Sequence, residues 1–145
     1  MSEESERKRR IKQLALADGQ AESMRIVPKK ILIADDEVST RLVLRKKLND
    51  CGYKTIEAAN GVETWNSIRT DNPDLVIMDM KMPGMHGLEI LKKMRTEKEK
   101  IPVIIYSAYS DMMNSFTVMT YPNQRFLVKP TDLNTIIRNI EELIG

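Results

Sequence analysis

The sequence has very little cysteine and no long apolar run, and each absence excludes a class of protein. A single cysteine, Cys51, cannot form a disulfide bond within the chain. Together with the lack of a secretory signal, it predicts a cytoplasmic protein. No apolar segment approaches the roughly 20 residues that a membrane-spanning helix needs. We therefore predict no membrane span.

The sequence also lacks a charge surplus of one sign outside its first 30 residues. Residues 1–30 carry eight basic and five acidic side chains, whereas residues 31–145 carry fifteen and sixteen. A nucleic-acid-binding domain is typically strongly basic on one face. The body of the chain is nearly neutral, so we expect it to bind no nucleic acid.

The composition divides the chain near residue 28. Residues 1–28 are predicted to be a basic tail or a short helix, because a basic run at 7–10 precedes Ile11 and Leu14 at helical spacing. A solvated tail is the favoured interpretation. A contact arm for an acidic partner, a lipid surface or nucleic acid is the alternative. Residues 29–145 have the length and composition of one globular domain.

Five apolar strands alternate with five helices in residues 29–145. We predict strands at 30–34, 53–58, 75–78, 102–106 and 125–128, and helices at 38–50, 62–70, 87–98, 111–119 and 133–144. Thr131 is the expected N-cap of the last helix. Such alternation predicts βαβ units, hence a parallel α/β sheet with helices on both faces.

Polar residues follow four of the predicted strands. Asp35 and Asp36 follow the first strand, Asp79 the third, Ser107 the fourth and Lys129 the fifth. One acid at the end of a strand is more often a turn or cap residue than a functional one. The carboxyl ends of parallel strands, however, meet at one edge of the sheet, where open α/β folds hold their sites. Convergence of these four polar elements is difficult to attribute to capping.

This set of residues favours phosphoryl chemistry with a metal ion. Three carboxylates brought together repel one another unless a cation is present. Oxygen ligands without histidine or cysteine suit Mg²⁺. Lys129 adds a positive charge and Ser107 a hydroxyl donor, both of which suit a phosphoryl group. Asp79, at the end of the most continuously apolar strand, is the best candidate nucleophile for an aspartyl phosphate.

These motifs resemble the receiver domain of two-component response regulators, of the bacterial chemotaxis type. The resemblance covers residues 29–145 and rests on segments 31–37, 79–89, 102–107 and 126–130. Intervals of 43, 28 and 22 residues between Asp36, Asp79, Ser107 and Lys129 also match. The resemblance implies a doubly wound, flavodoxin-like (βα)5 fold with strand order 2-1-3-4-5. It further implies a signalling module that catalyses its own phosphoryl transfer rather than an enzyme.

The resemblance also implies roles for the residues of the site. Asp79 would accept a phosphoryl group from a phosphohistidine on a sensor histidine kinase or a histidine phosphotransfer protein. Asp36, Asp79 and the backbone carbonyl of Lys81 would bind Mg²⁺ directly, and Asp35 would act largely through water. Lys129 would pair with Asp79 and with the phosphoryl oxygens.

A conformational switch is implied as well. Ser107 would move toward the phosphoryl group and Phe126 would turn inward, which would remodel the face formed by the helix at 111–119, the fifth strand and the last helix. That face would control a downstream protein target, and a dimer is possible.

Phe126 stands where many relatives have tyrosine and lacks the hydroxyl. Pro122 is expected to shorten or shift the preceding helix, and the Lys129–Pro130 bond is expected to be cis.

Three other interpretations stay open at this point. A degenerate receiver would dock partners without carrying phosphate. A phosphatase with an aspartate nucleophile has a second acid two residues later, where this chain has Lys81. A flavin protein with this sheet has a Ser/Thr/Gly-rich loop after the first strand, where this chain has acids.

His86 is predicted to be a surface or cap residue, and Cys51 and Trp65 to be packed in the core.

Overall fold

The apolar segments form five strands separated by helices. The structure is a computed structural model that describes residues 3–17, 27–98, 100–108 and 122–145. Its strands are Lys30–Ala34 (β1), Lys54–Ala58 (β2), Leu75–Met78 (β3), Val103–Ser107 (β4) and Gln124–Val128 (β5). Its helices are Glu3–Ala17 (α1), Val38–Asp50 (α2), Gly61–Asp71 (α3), Gly87–Glu97 (α4) and Leu133–Ile144 (α5). The helix predicted at 111–119 lies outside the described residues.

The strands form one parallel sheet with the order β2-β1-β3-β4-β5. This result confirms the predicted α/β class and the strand order 2-1-3-4-5. The central strands β1, β3 and β4 are buried along almost their whole length, as expected for strands covered on both faces. The order of the strands places β1 beside β3, and this pairing brings the ends of both strands to the same point of the sheet edge.

Helices cover both faces of the sheet. Side chains of β1 alternate between the faces, because successive residues of a strand point in opposite directions. Leu32 and Ala34 pack with α3 and α4, whereas Ile31 and Ile33 pack with α2 and α5. Trp65 belongs to the first of these cores and Cys51 to the second, so both are core residues as predicted; the remaining helix members are Ile68, Ile90, Leu91, Met94, Leu44, Leu48, Ile136, Ile137 and Ile140.

The start of α5 corrects one prediction. Asp132 is the N-cap, and its Oδ1 accepts a hydrogen bond of 2.9 Å from the backbone N–H of Thr135. Thr131 was expected in that position, but its hydroxyl donates to the backbone carbonyl of Val128 at 2.6 Å. A cap must accept from an N–H two or three residues ahead. The prediction was therefore wrong by one residue.

Helix α1 contacts the body of the domain through one of its faces. Glu4 forms an ion pair of 2.5 Å with Lys47 near the end of α2. Arg7, three residues later and therefore on the same face, lies 3.9 Å from the ring centroid of Tyr53. These contacts place α1 at the amino end of β2. No helix within the described ranges is long and apolar enough to cross a bilayer.

Candidate phosphoacceptor and metal site

The backbone hydrogen bonds of the sheet continue past the strands and bring the predicted site residues together. The N–H of Asp79 donates to the carbonyl of Ala34 at 3.0 Å, and the N–H of Lys129 donates to that of Ser107 at 2.9 Å. Asp79 therefore lies beside Asp35, and Lys129 beside the end of β4. The Lys129–Pro130 bond is cis, as the resemblance implied.

Lys129 lies between two buried carboxylates. Its Nζ donates to Oδ2 of Asp35 and to Oδ2 of Asp79, each at 2.7 Å. Burial opposes the charge of this ammonium group, but the hydrogen bonds to Asp35 and Asp79 outweigh that cost and raise the pKa of Lys129. The lysine therefore stays charged and bridges β1 and β3.

Asp79 accepts further hydrogen bonds on its other oxygen. The hydroxyl of Ser107 donates to its Oδ1 at 2.9 Å, and the backbone N–H of Lys81 donates to the same atom at 3.1 Å. With the bond from Lys129, this nearly buried carboxylate receives three donors. These donors come from three separate segments and hold the carboxylate in one orientation, as a nucleophile positioned for reaction requires.

Asp35 is more buried than charged groups usually are. Burial raises its pKa, although the hydrogen bonds from Lys129 and from the backbone N–H of Glu37 act in the opposite direction. The N–H of Glu37 donates to Oδ1 of Asp35 at 2.9 Å. A neighbouring cation would further stabilise the ionised form. The charge of Asp35 is thus costly in the protein alone and compatible with a bound metal ion.

Three carboxylates form a potential metal-binding cluster. One oxygen from each of Asp35, Asp36 and Asp79 lies within 4.8 Å of the other two. Asp36 is exposed, while Asp35 and Asp79 are buried. An all-oxygen donor set with one open side fits Mg²⁺, which keeps several of its waters. The residues present therefore fit the metal ion that the sequence predicted.

An open cavity of about 490 Å³ adjoins the cluster. Its lining residues include Asp36, Asp79, Lys81, Lys129, His86 and Ala108. His86 is exposed and precedes α4 without capping the helix through its side chain. This location agrees with the prediction that His86 is a surface or cap residue. The cavity gives an incoming group access to Asp79.

Two glycines hold the loop after β3 close to the rest of the domain. A Cβ atom on Gly87 would lie 2.7 Å from the carbonyl oxygen of Asp79. A Cβ atom on Gly61 would lie 1.9 Å from the carbonyl oxygen of Met85. Real Cβ atoms do not approach backbone atoms so closely, so both positions require glycine. Their role in packing could not be predicted from the sequence, because the close backbone contacts form only in the folded chain.

Phe126, the predicted switch residue, is partly buried and packs against the core on the α3 and α4 side of the sheet. Its partner helix was predicted at 111–119, which the structure does not describe. The switch therefore stays a prediction.

Two charged residues of the site were missed from the sequence. Glu37 Oε1 lies 3.6 Å from Lys129 Nζ. Arg41, one helical turn later, donates from its NH1 to the backbone carbonyl of Asp35 at 2.7 Å. The one feature of the sequence that could have pointed to Glu37 is its position directly after Asp35 and Asp36. Arg41 gives no such signal, because an arginine on a polar helix face usually points to solvent.

Known proteins match this chain over most of its length. The family model described as the response regulator receiver domain matches residues 31–141. Sporulation initiation phosphotransferase F of Bacillus subtilis is 47% identical over 83 residues, which are 57% of this chain and 67% of that protein. The chain spans about half the length of a second relative, the probable transcriptional regulator ycf27 of Cyanophora paradoxa, with 32% identity over 83% of this chain.

Solved structures agree with this assignment. The response regulator protein TrrA of Thermotoga maritima, in complex with Mg²⁺-BeF, superposes with a TM-score of 0.73 at 31% identity. The superposition covers 79% of this chain and 98% of that one. Since the family model covers well over half of the sequence and the strand order is that of the family, the chain belongs to the response regulator receiver domain family.

Proposed function

We propose that this chain is a phosphoacceptor signalling domain that carries a phosphoryl group on Asp79. The observation that supports this most strongly is the position of the Asp79 carboxylate. It lies between the ammonium group of Lys129, at 2.7 Å, and the acidic cluster with Asp35 and Asp36, and it lines an open cavity. A nucleophile, a cation and a potential metal site are thus assembled where a phosphoryl donor can enter.

In the proposed reaction, a carboxylate oxygen of Asp79 attacks the phosphorus atom of a phosphohistidine. An O–P bond forms and the P–N bond breaks, so the electron pair of that bond returns to the imidazole of the donor. Negative charge in such a transfer is spread over the three outer phosphoryl oxygens. Lys129, already adjacent to Asp79, is positioned to neutralise part of this charge.

We propose that Mg²⁺ is bound by Asp35, Asp36, Asp79 and the backbone carbonyl of Lys81. Bound Mg²⁺ would supply positive charge to the phosphoryl oxygens and relieve the repulsion among the carboxylates. The Mg²⁺-BeF complex of the TrrA protein supports this proposal by similarity. Asp35, whose Oδ1 and Oδ2 already accept bonds from Glu37 and Lys129, fits a role mediated by water.

We further propose that phosphorylation acts through Ser107 and Phe126. Ser107 now donates its hydrogen bond to Asp79, and a phosphoryl group on Asp79 would offer it a new acceptor. Movement of Ser107 would vacate space for Phe126 on the neighbouring strand, since β4 and β5 pair directly. This change would alter the surface offered to a downstream protein.

The proposed partners follow from the same reaction. A sensor histidine kinase or a histidine phosphotransfer protein would donate the phosphoryl group. The similarity to a protein named as a sporulation initiation phosphotransferase supports a role in phosphoryl transfer. Residues 29–145 would carry this function, and residues 1–28 would be a separate segment attached through α1.

The proposal is tested by exposing the full chain to acetyl phosphate and Mg²⁺ and measuring its intact mass. We expect the mass of one phosphoryl group on the wild-type chain and none on Asp79→Asn. Chelation of Mg²⁺ should prevent the modification as well. Asp74→Asn is a matched control, because Asp74 lies at the opposite end of the same strand and accepts a hydrogen bond from the backbone of Lys30.

Equal modification of the wild-type and Asp79→Asn chains would contradict the assignment of Asp79. An unmodified wild-type chain, with a known receiver domain modified in parallel, would favour a degenerate receiver that only docks partners.

A further inference from the structure

We infer that Arg41 is a positioning residue that orients the Asp35–Asp36 turn for metal binding. This inference rests on the proposed function. It starts from one contact, in which NH1 of Arg41 donates to the backbone carbonyl of Asp35 at 2.7 Å. The guanidinium group therefore contacts the main chain at the site and not a carboxylate oxygen offered to a metal ion.

Asp35 is held at every polar group that it has. Its N–H donates to the carbonyl of Ala58, and its two carboxylate oxygens accept from Glu37 and Lys129. The carbonyl oxygen is the remaining group, and Arg41 occupies it. Removal of Arg41 would free this carbonyl and loosen the turn that the other anchors share.

The carbonyl of Asp35 belongs to the peptide group that leads into Asp36. Because a peptide group is planar, holding this oxygen fixes the orientation of the N–H and Cα of Asp36. Asp36 is exposed, so packing does little to direct its side chain. The bond from Arg41 therefore limits where the Asp36 carboxylate can point.

Glu57 on β2 holds Arg41 in place. Its Oε1 accepts from Nε of Arg41 at 3.2 Å, and its Oε2 accepts from NH1 of Arg45 at 2.9 Å. Ala58, the next residue, binds the N–H of Asp35. Neighbouring residues of the edge strand thus anchor both main-chain groups of Asp35, one directly and the other through Arg41.

The structure offers a matched control within the same helix. Arg45 shares the acceptor Glu57 but forms no hydrogen bond to the Asp35 turn within the part of the chain that the structure describes, and its side chain is 44% exposed against 15% for Arg41. Removal of either arginine takes one ion pair from Glu57. Only the removal of Arg41 takes a donor from Asp35, so a difference between the two variants reports on positioning.

The first measurement is Mg²⁺ affinity by isothermal titration calorimetry on the full chain. We expect the Kd of Arg41→Ala to rise about tenfold, since a lost charge-assisted hydrogen bond has effects of this order. Arg45→Ala should stay within about twofold of the wild type. Arg41→Lys should be intermediate, because one ammonium group cannot reproduce the fork of donors that contacts both Glu57 and Asp35. At saturating Mg²⁺ the phosphorylation rate of Arg41→Ala should return to near the wild-type value.

The second measurement uses the protein without metal. Amide hydrogen exchange of Glu37, whose N–H is bonded to Asp35, should be about tenfold faster in Arg41→Ala than in Arg45→Ala. Glu57→Gln keeps a hydrogen-bond acceptor for Arg41 but loses the charge, so it should raise the exchange rate of Glu37 by a smaller factor. This variant still tests the inference if Arg41→Ala misfolds.

Equal Mg²⁺ affinity and equal Glu37 exchange in the two alanine variants would overturn the inference. Failure of the wild-type chain to bind Mg²⁺ would instead count against the proposed function. The exchange comparison would then decide by itself whether Arg41 orders the turn.

Discussion

The two ends of the sheet use charge in opposite ways. At the carboxyl end, Asp35 and Asp79 are 3% and 7% exposed and share one lysine. At the amino end of β2, the contacts of α1 include an ion pair between Glu4 and Lys47 and the approach of Arg7 to the ring of Tyr53. Carboxylates exceed cations at the first end, whereas at the second the carboxylate of Glu4 is paired with Lys47 and Arg7 lies over an aromatic ring. The excess of negative charge marks the end that is suited to bind a cation, and the end without such an excess is suited to packing.

The largest effect on stability is expected at the carboxyl end. Lys129→Met would leave Asp35 and Asp79 buried without their cation, and breaking such a cluster costs about 3 kcal/mol of unfolding free energy. Urea denaturation without Mg²⁺ measures this loss. Adding Mg²⁺ should recover part of it, because a bound cation replaces the missing charge.

Lys98→Met is the control for this comparison. Lys98 contacts Asn72 at 3.4 Å on the surface, so its replacement should change stability by less than about 0.5 kcal/mol. A Lys129→Met variant as stable as Lys98→Met, or one that does not respond to Mg²⁺, would mean that the charges at this end are not strongly coupled.

The next effect concerns pH at the amino end. Burial, followed by the charge of Glu4, raises the pKa of the Cys51 thiol to about 11 from its ordinary value of 9.0. Between these values the unfolded chain loses a proton that the folded chain keeps, so stability falls as the pH rises from 9 to 11. A difference of two pKa units corresponds to a loss of at most about 2.7 kcal/mol of unfolding free energy, and we expect a loss of ~2 kcal/mol.

Cys51→Ala tests this assignment, because it removes the thiol and should make the loss of stability over this pH range smaller by that amount. Urea denaturation at several pH values gives the comparison. Other groups titrate in the same range and affect the wild-type and Cys51→Ala proteins alike. The relevant quantity is therefore the difference between the two slopes of unfolding free energy against pH. Parallel slopes would show that the thiol does not contribute.

The sequence predicted the five-stranded parallel sheet for a physical reason, whereas the roles of the site residues stay predictions. Strand β3 and residues 31–34 of β1 are apolar throughout and end abruptly at an acid, which fixes the carboxyl ends of both strands and the position of Asp79. The N-cap of α5 was missed by one residue, because Thr131 and Asp132 are both good caps and only the backbone path selects between them. Arg41 was missed because its role depends on Glu57 and Asp35, which meet it only in the folded chain.

The smallest effect is expected for α1. Arg7→Ala should lower stability by about 0.5 kcal/mol, which is typical of a cation–π contact near the surface. A double-mutant cycle with Tyr53→Leu separates this contact from general packing, since the coupling energy of the cycle counts only the pair.

Arg10→Ala is the control, because Arg10 lies on the same helix and is exposed. The affinity for Mg²⁺ should be unchanged in all of these variants, since the contact lies at the opposite end of β2 from Asp35. A coupling energy of zero would show that α1 is not attached through Arg7, and a change in Mg²⁺ affinity would show that the two ends of the sheet are not independent.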